Sequence, residues 1–262
     1  MTLIKFLTDS AADIPADLAR ELGIQVLHFP IALEDREIRD CVDYTPEEFY
    51  RVLLAEKKIP THAQLTPFMF EECYQQAYDE GYTHLIYTAI NAKGSSTYCN
   101  ALQARESFYD ENPKAREKFT ITVIDAGTYT MAYGWAVVQG ARMAADGQSP
   151  EKVEAFIRDW LAHARILFVP LDLRFAKKSG RVSAAAAFMG DALGLKPIMT
   201  FENGESKVLS KVRGEKNVVP AMLALCQKTR KKGTPYFLIR SANPEMAGKL
   251  RGACVQKLKA EP

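Results

Sequence analysis

The stretch Leu3-Ile4-Lys5-Phe6-Leu7-Thr8-Asp9-Ser10-Ala11-Ala12-Asp13-Ile14-Pro15-Ala16-Asp17-Leu18-Ala19-Arg20-Glu21-Leu22-Gly23-Ile24-Gln25-Val26-Leu27-His28-Phe29 changes its hydrophobic period twice. The apolar run over 3–7 reads as a strand. A helical pattern follows over 15–22, stopped by Gly23, and 24–29 reads as the next strand. Strand, helix, strand in that order is the unit from which parallel sheets are built.

The same alternation continues outward. Residues 30–40 read as a hairpin turning at Glu34-Asp35. Thr45-Pro46-Glu47-Glu48 supplies an N-cap, a first-turn proline and a capping-box glutamate for a helix to Glu56. Thr66-Pro67 starts a helix to Glu80, and 84–88 reads as a strand opening into the polar loop Asn91-Ala92-Lys93-Gly94-Ser95-Ser96-Thr97, with a helix beyond to about Tyr109. A strand over 119–124 leads to Asp125-Ala126-Gly127-Thr128, a helix stopped by Gly147, and a helix from Ser149-Pro150-Glu151 to His163. A second group follows: a strand over 166–170, a helix over 172–178, a hairpin whose Asn203-Gly204 joins strands over 197–201 and 206–210, a helix over 221–232, a strand over 236–240 and a helix from Pro244. The expected architecture is a two-domain α/β protein. An N-terminal Rossmann-like parallel sheet with flanking helices spans 1–163, and a C-terminal mixed-sheet α/β domain spans 164–262.

Composition narrows the function. With 262 residues and 47% hydrophobic content the chain can bury a full core. Thirty-four basic against 32 acidic residues leave a net charge of +2, far from the concentrated positive field of a dedicated nucleic-acid binder. Lys5 interrupts the first apolar run, so no signal-peptide core fits and a cytoplasmic protein is expected. The apolar runs are far shorter than the roughly 20 residues a spanning helix needs, which excludes membrane insertion. Cys41, Cys73, Cys99, Cys226 and Cys254 form no C-x-x-C pair, and His28, His62, His84 and His163 lack ligand spacing, so neither a metal nor another cofactor is expected.

The common enzyme signatures are missing: no phosphate loop, dinucleotide fingerprint, nucleophile elbow or zinc helix. Four loops at strand ends remain, Thr8-Asp9-Ser10, Thr61-His62-Ala63-Gln64-Leu65-Thr66, Asn91 to Thr97 and Asp125 to Thr130. Strand ends are where ligands sit in open α/β sheets. Hydroxyls and amides dominate these loops, and two of the loops lead into helix N-termini, which suits binding an anion better than activating a nucleophile. The plainer alternative is that each hydroxyl only caps a helix or a turn. A rival from another class is a metal-assisted phosphotransferase or hydrolase using Asp9 and Asp125 as strand-end carboxylates.

Seven fragments, in order, resemble the DegV family, whose members include the fatty-acid-binding subunits of bacterial fatty acid kinase. Thr8-Asp9-Ser10-Ala11-Ala12-Asp13-Ile14-Pro15 is similar to the family's T-D-S-x-x-D-[IL]-P. Residues 43–49 resemble its D-x-[ST]-P-E-E-F, and Ser95-Ser96-Thr97-Tyr98 with Ala101 its S-G-T-Y-x-x-A. Val123-Ile124-Asp125, Lys177-Lys178-Ser179-Gly180-Arg181-Val182-Ser183, Leu195-Lys196-Pro197-Ile198 and Lys211-Val212-Arg213-Gly214 resemble V-I-D, K-K-G-G-R-I-S, I-K-P-I and K-V-R-G. The departures are Ala63 where a hydroxyl is usual, serine for glycine at Ser96 and Ser179, and no match to the family's closing G-x-H-x-G-P-G. That last departure predicts an open head-group site, or His28 or His62 in place of the family's histidine.

The resemblance implies a non-enzymatic carrier that holds a long-chain fatty acid, its carboxylate at the domain interface, for phosphorylation by a separate kinase subunit. A carrier and a lipid sensor read alike. Each buried methylene contributes about 0.8 kcal/mol, whereas burying an unpaired carboxylate costs several kcal/mol, so the pocket needs a dry body and a polar end. Ser95 is the leading candidate for that end, with Thr61, Thr66, Thr97 and Ser96 beside it. The small-residue run 183–190 is a candidate lining for the tail. By the same resemblance, Arg181 and Arg213 meet the partner or the phosphate, since guanidinium suits phosphate bidentately.

Overall fold

The computed structural model describes residues 2–183, 194–241 and 243–262. Their packing divides the chain into two compact units, Met1–Pro46 with Glu56–Ala164, and Glu47–Ala55 with Arg165–Pro262. The helix over Glu47–Ala55 groups with the second unit, which no local signal in the sequence indicates.

In the first unit, β1 (Ile4–Asp9), β2 (Ile24–Leu27), β6 (His84–Ala89) and β7 (Thr120–Asp125) form a parallel sheet of order β2-β1-β6-β7. Alternate side chains leave by opposite faces, as the pleat requires. Leu7, Leu85 and Tyr87 join Phe70 and Tyr74 of α3 (Pro67–Asp79) and Phe108 of α4 (Thr97–Glu111) on one face. Phe6, Ile24, Ile86 and Ile124 pack with Val137 and Val138 of α5 (Met131–Ala145) and with Val153 and Ile157 of α6 (Pro150–His163) on the other. A sheet buried on both faces explains the near-continuous apolar strands. Between β1 and β2 lies α1 (Ala16–Glu21); β2 then leads back across β1 to β6, which puts the topological switch point between β1 and β6.

A second sheet of this unit is antiparallel, of order β4-β3-β5, with β3 Pro30–Ala32, β4 Glu37–Arg39 and β5 Thr61–His62. Its β3–β4 hairpin turns where Glu34-Asp35 predicts.

The second unit holds α2 (Pro46–Ala55, from Glu47 onward), α7 (Leu173–Ser179), the hairpin of β8 (Leu195–Glu202) and β9 (Glu205–Arg213), α8 (Val218–Thr229) and α9 (Pro244–Leu258). Asn203 and Gly204 both take positive φ, 51° and 76°, as a tight two-residue hairpin demands. A register shift at Ile198/Met199 bends the ladder, and Phe168 stacks on Phe201 at 5.1 Å.

Two expected strands are corrected here. Segment 166–170 forms only one antiparallel bridge, Phe168 with Met199; Pro170 has no N–H with which to extend a ladder. Segment 236–240 is not a strand, because its apolar run has no ladder partner among the described residues. The small-residue positions 184–190 lie outside the described residues.

Candidate functional site

Three of the strand-end loops are hydrogen-bonded in series, 61–66 to 91–97 and 91–97 to 125–130, and the loop at Asp9 joins them through the neighbouring Ile90 and Ala11. Asp9, at the end of β1, is fully buried. Its carboxylate accepts the Tyr133 hydroxyl at 2.5 Å, the Tyr87 hydroxyl at 3.0 Å and the Ile90 N–H at 2.9 Å. Burial pushes the Asp9 carboxyl up, and these donors pull it partly back. Burial also holds the Tyr87 and Tyr133 hydroxyls far above their ordinary range, so both remain donors.

On the far side of β6, Asp125 Oδ1 accepts the Ala92 N–H at 2.9 Å and the Gly127 N–H at 2.8 Å. Asn91 is buried, takes its own N–H to the Thr128 carbonyl, and donates Nδ2 to the Tyr129 hydroxyl at 2.8 Å. That tyrosine approaches so closely that a Cβ at Gly94 would stand 2.3 Å from its oxygen. A larger residue at 94 would have to push the Tyr129 hydroxyl away from its bond to Asn91.

The loop over 61–66 closes against the start of α4. Thr97 Oγ1 accepts the Leu65 N–H at 3.3 Å, and Asn100 Nδ2 donates to the Leu65 carbonyl at 2.7 Å. Ser95 Oγ lies 2.8 Å from Thr97 Oγ1 and accepts the Thr97 N–H at 3.3 Å. Either hydroxyl of this pair can be the donor. Thr97 is fully buried and Ser95 half-buried. With Thr97 as the donor, Ser95 keeps its own proton to give. Beside it, the first-turn amides of α4 at Tyr98 and Cys99 have no acceptor within the helix.

The other predicted residues are placed as follows. Thr61 is exposed on β5, opposite Ala32. Thr66 and Ser96 are the exposed N-cap residues of α3 and α4, and neither side chain caps its helix, so these hydroxyls do not serve the plain capping role. Arg181, after α7, turns its guanidinium to the Ser179 carbonyl at 2.6 Å, and Arg213 ends β9, exposed. Both arginines belong to the second unit. His28 directs Nδ1 to the Asp40 carbonyl at 2.7 Å, and His62 meets the Phe29 ring edge-on at 6.2 Å. Asp13 is exposed as a residue, yet desolvation of its carboxyl, then Asp40 and Asp9 nearby, raises it from 3.8 to about 6.

Two features escape a reading of the sequence. Tyr87 and Tyr133 lie 78 and 124 residues from Asp9, so no local pattern links them. The overall charge of +2 also hides a division: the first unit has 14 basic and 23 acidic residues, net −9, and the second 20 basic and 9 acidic, net +11. A groove of about 750 Å³ along α3 is lined by Glu71, Glu72, Asp79 and Glu80, a sign of charge that repels a carboxylate. Among the described residues no helix is long and apolar enough to cross a membrane.

Residues 3–261 match the family model described as "Uncharacterised protein, DegV family". A DegV domain-containing protein of Caldanaerobacter subterraneus is 35% identical over 219 residues, 84% of this chain and 75% of that one. Among solved structures, a Thermus thermophilus DegV family protein described for its fatty acid binding is similar at 29% identity and a TM-score of 0.75, covering 87% of this chain and 78% of the other. A stearic acid-binding protein from Eubacterium ventriosum shares the fold at 21% identity and a TM-score of 0.84, over 100% of this chain and 89% of that one. The matched span and the identity together establish that this chain belongs to the DegV family.

Proposed function

We propose that this protein binds a long-chain fatty acid and presents its carboxylate, through the Ser95 hydroxyl, to a separate kinase subunit. The observation that carries the reading is the position of the half-buried Ser95 hydroxyl, 2.8 Å from the buried Thr97 hydroxyl at the N-terminus of α4; with Thr97 as donor in that pair, the Ser95 proton is left for an acceptor there. An anion gains there from a hydroxyl, from first-turn amides and from the helix dipole together. Thr61, Thr66 and Ser96 supply further hydroxyls around it, and Thr97 holds Ser95 in place. The fatty acid binding described for the Thermus thermophilus relative supports the same ligand class.

In this reading the partner's nucleotide gives its γ-phosphoryl group to a carboxylate oxygen. An O–P bond forms at the acyl group, the γ–β anhydride breaks, and a nucleoside diphosphate leaves. Arg181 and Arg213 steer the partner or meet the acyl phosphate, and the net charge of +11 on the second unit favours anionic groups of either kind. The rival assignment of Asp9 and Asp125 to metal or acid–base chemistry loses support, since both carboxylates serve the loop after β6.

Protein purified from a bacterial host and extracted under denaturing conditions is expected to yield acyl chains in near-stoichiometric amount by mass spectrometry. Empty extracts, together with no binding of added palmitate, would remove fatty acid as the ligand class.

A further inference from the structure

We infer that Asp9 is the positioning residue for Ser95: its buried carboxylate takes the Ile90 N–H and so fixes the point at which the 91–97 loop leaves the sheet. The inference rests on the fatty-acid reading for its consequence in binding, and on hydrogen bonding alone for the geometry.

β1 pairs with β6 as far as Thr8 with Thr88, and β6 then runs on to Ala89 beside β7. The Ile90 amide therefore lies past the β1 ladder, and the Asp9 side chain accepts it at 2.9 Å in place of a carbonyl. The carboxylate is itself fixed from two further directions, by Tyr87 on β6 and by Tyr133 in the first turn of α5. From Ile90 the position passes on through the backbone. The next residue, Asn91, uses one carbonyl to accept the N–H groups of both Gly94 at 2.9 Å and Ser95 at 3.2 Å. A residue with 0% exposure thus sets where the Ser95 hydroxyl stands. Asp125 holds the opposite flank of the loop through the Ala92 N–H, so the loop hangs between two strand-end carboxylates.

Asp9→Asn tests this, since it keeps the size of the side chain but exchanges an acceptor oxygen for an NH₂ group among three donors. Palmitate and methyl palmitate serve as probes, one with a carboxylate and one with the tail alone, alongside amide hydrogen exchange on ligand-free protein. Asp9→Asn is expected to weaken palmitate about tenfold while methyl palmitate binding holds. Amide exchange should quicken at Ile90, Gly94 and Ser95 but stay slow at Leu85 and Ile124 in the core. An equal loss for both probes, or loop amides as slow as in the wild type, overturns the inference. Tyr133→Phe removes one donor and keeps the ring; it should shift both readouts the same way by less, and it carries the test if Asp9→Asn does not fold. Should wild-type protein bind no palmitate, the fatty-acid reading fails, and the exchange rates alone still decide whether Asp9 positions the loop.

Discussion

Ser95→Ala is expected to weaken fatty-acid binding by about 10- to 100-fold, because a hydrogen bond to a charged group contributes roughly 1.5–3 kcal/mol. In the proposed site the substitution removes the hydroxyl offered to the carboxylate. It also removes the hydroxyl partner of Thr97, which is fully buried. An orphaned buried hydroxyl costs about 1–3 kcal/mol, so a modest loss of thermal stability accompanies the loss of affinity. Ser96→Ala removes a secondary hydroxyl of the same proposed site: Ser96 is exposed and makes no cap bond, so the loss is expected to be smaller than for Ser95→Ala. Isothermal titration of the two variants with palmitate separates them. Unchanged affinity in folded Ser95→Ala would take Ser95 out of the head-group site.

Gly134→Ala is expected to destabilise the protein even though alanine favours helix by about 1 kcal/mol over glycine. A Cβ at Gly134 would stand 2.2 Å from the Ala12 carbonyl oxygen and 3.1 Å from both Ile14 Cγ1 and Met131 Sδ. The Ala12 oxygen is backbone, in a 3-10 turn tied to α5 by the Thr130 N–H to Ala11 carbonyl bond, so it has little room to move. Overpacking of this kind costs about 1–3 kcal/mol net, and each kcal/mol lowers the melting temperature by about 2–4 °C in a chain of this size. Tyr133, the adjacent residue, would shift with the helix and loosen its bond to Asp9. Gly140→Ala makes an informative contrast, since its nearest neighbours are side-chain tips at 3.0–3.3 Å that can yield. A melting temperature unchanged in Gly134→Ala would mean that α5 and the turn after β1 are not in close contact.

Much of this was legible in the residues. The parallel strands announced themselves through continuous apolar runs, and the helices through Pro46, Pro67 and Pro150 at their first positions and Gly23 and Gly147 beyond their ends. Hydroxyl-rich loops at strand ends marked where the polar groups would gather, for reasons intrinsic to open α/β sheets.

What stayed hidden depends on long-range pairing. Segment 236–240 has the residues of a strand, but a strand is defined by its neighbour, and composition does not supply one. Asp9 resembled a chemical carboxylate because its acceptor role is filled by Tyr87, Ile90 and Tyr133, none of them near it in sequence. Gly134, in the first turn of α5, was the available signal for that junction, since a helix glycine often marks a close approach. The opposite charges of the two units vanish from a whole-chain average and emerge only once the packing divides the sequence.

The most direct measurement is a crystal structure of the protein with a bound saturated fatty acid. One carboxylate oxygen is expected within hydrogen-bond distance of Ser95 Oγ, beside the first turn of α4, with the acyl chain in apolar surroundings. A carboxylate bound elsewhere, with the Ser95 hydroxyl turned to Thr97 as donor, would contradict the proposed site.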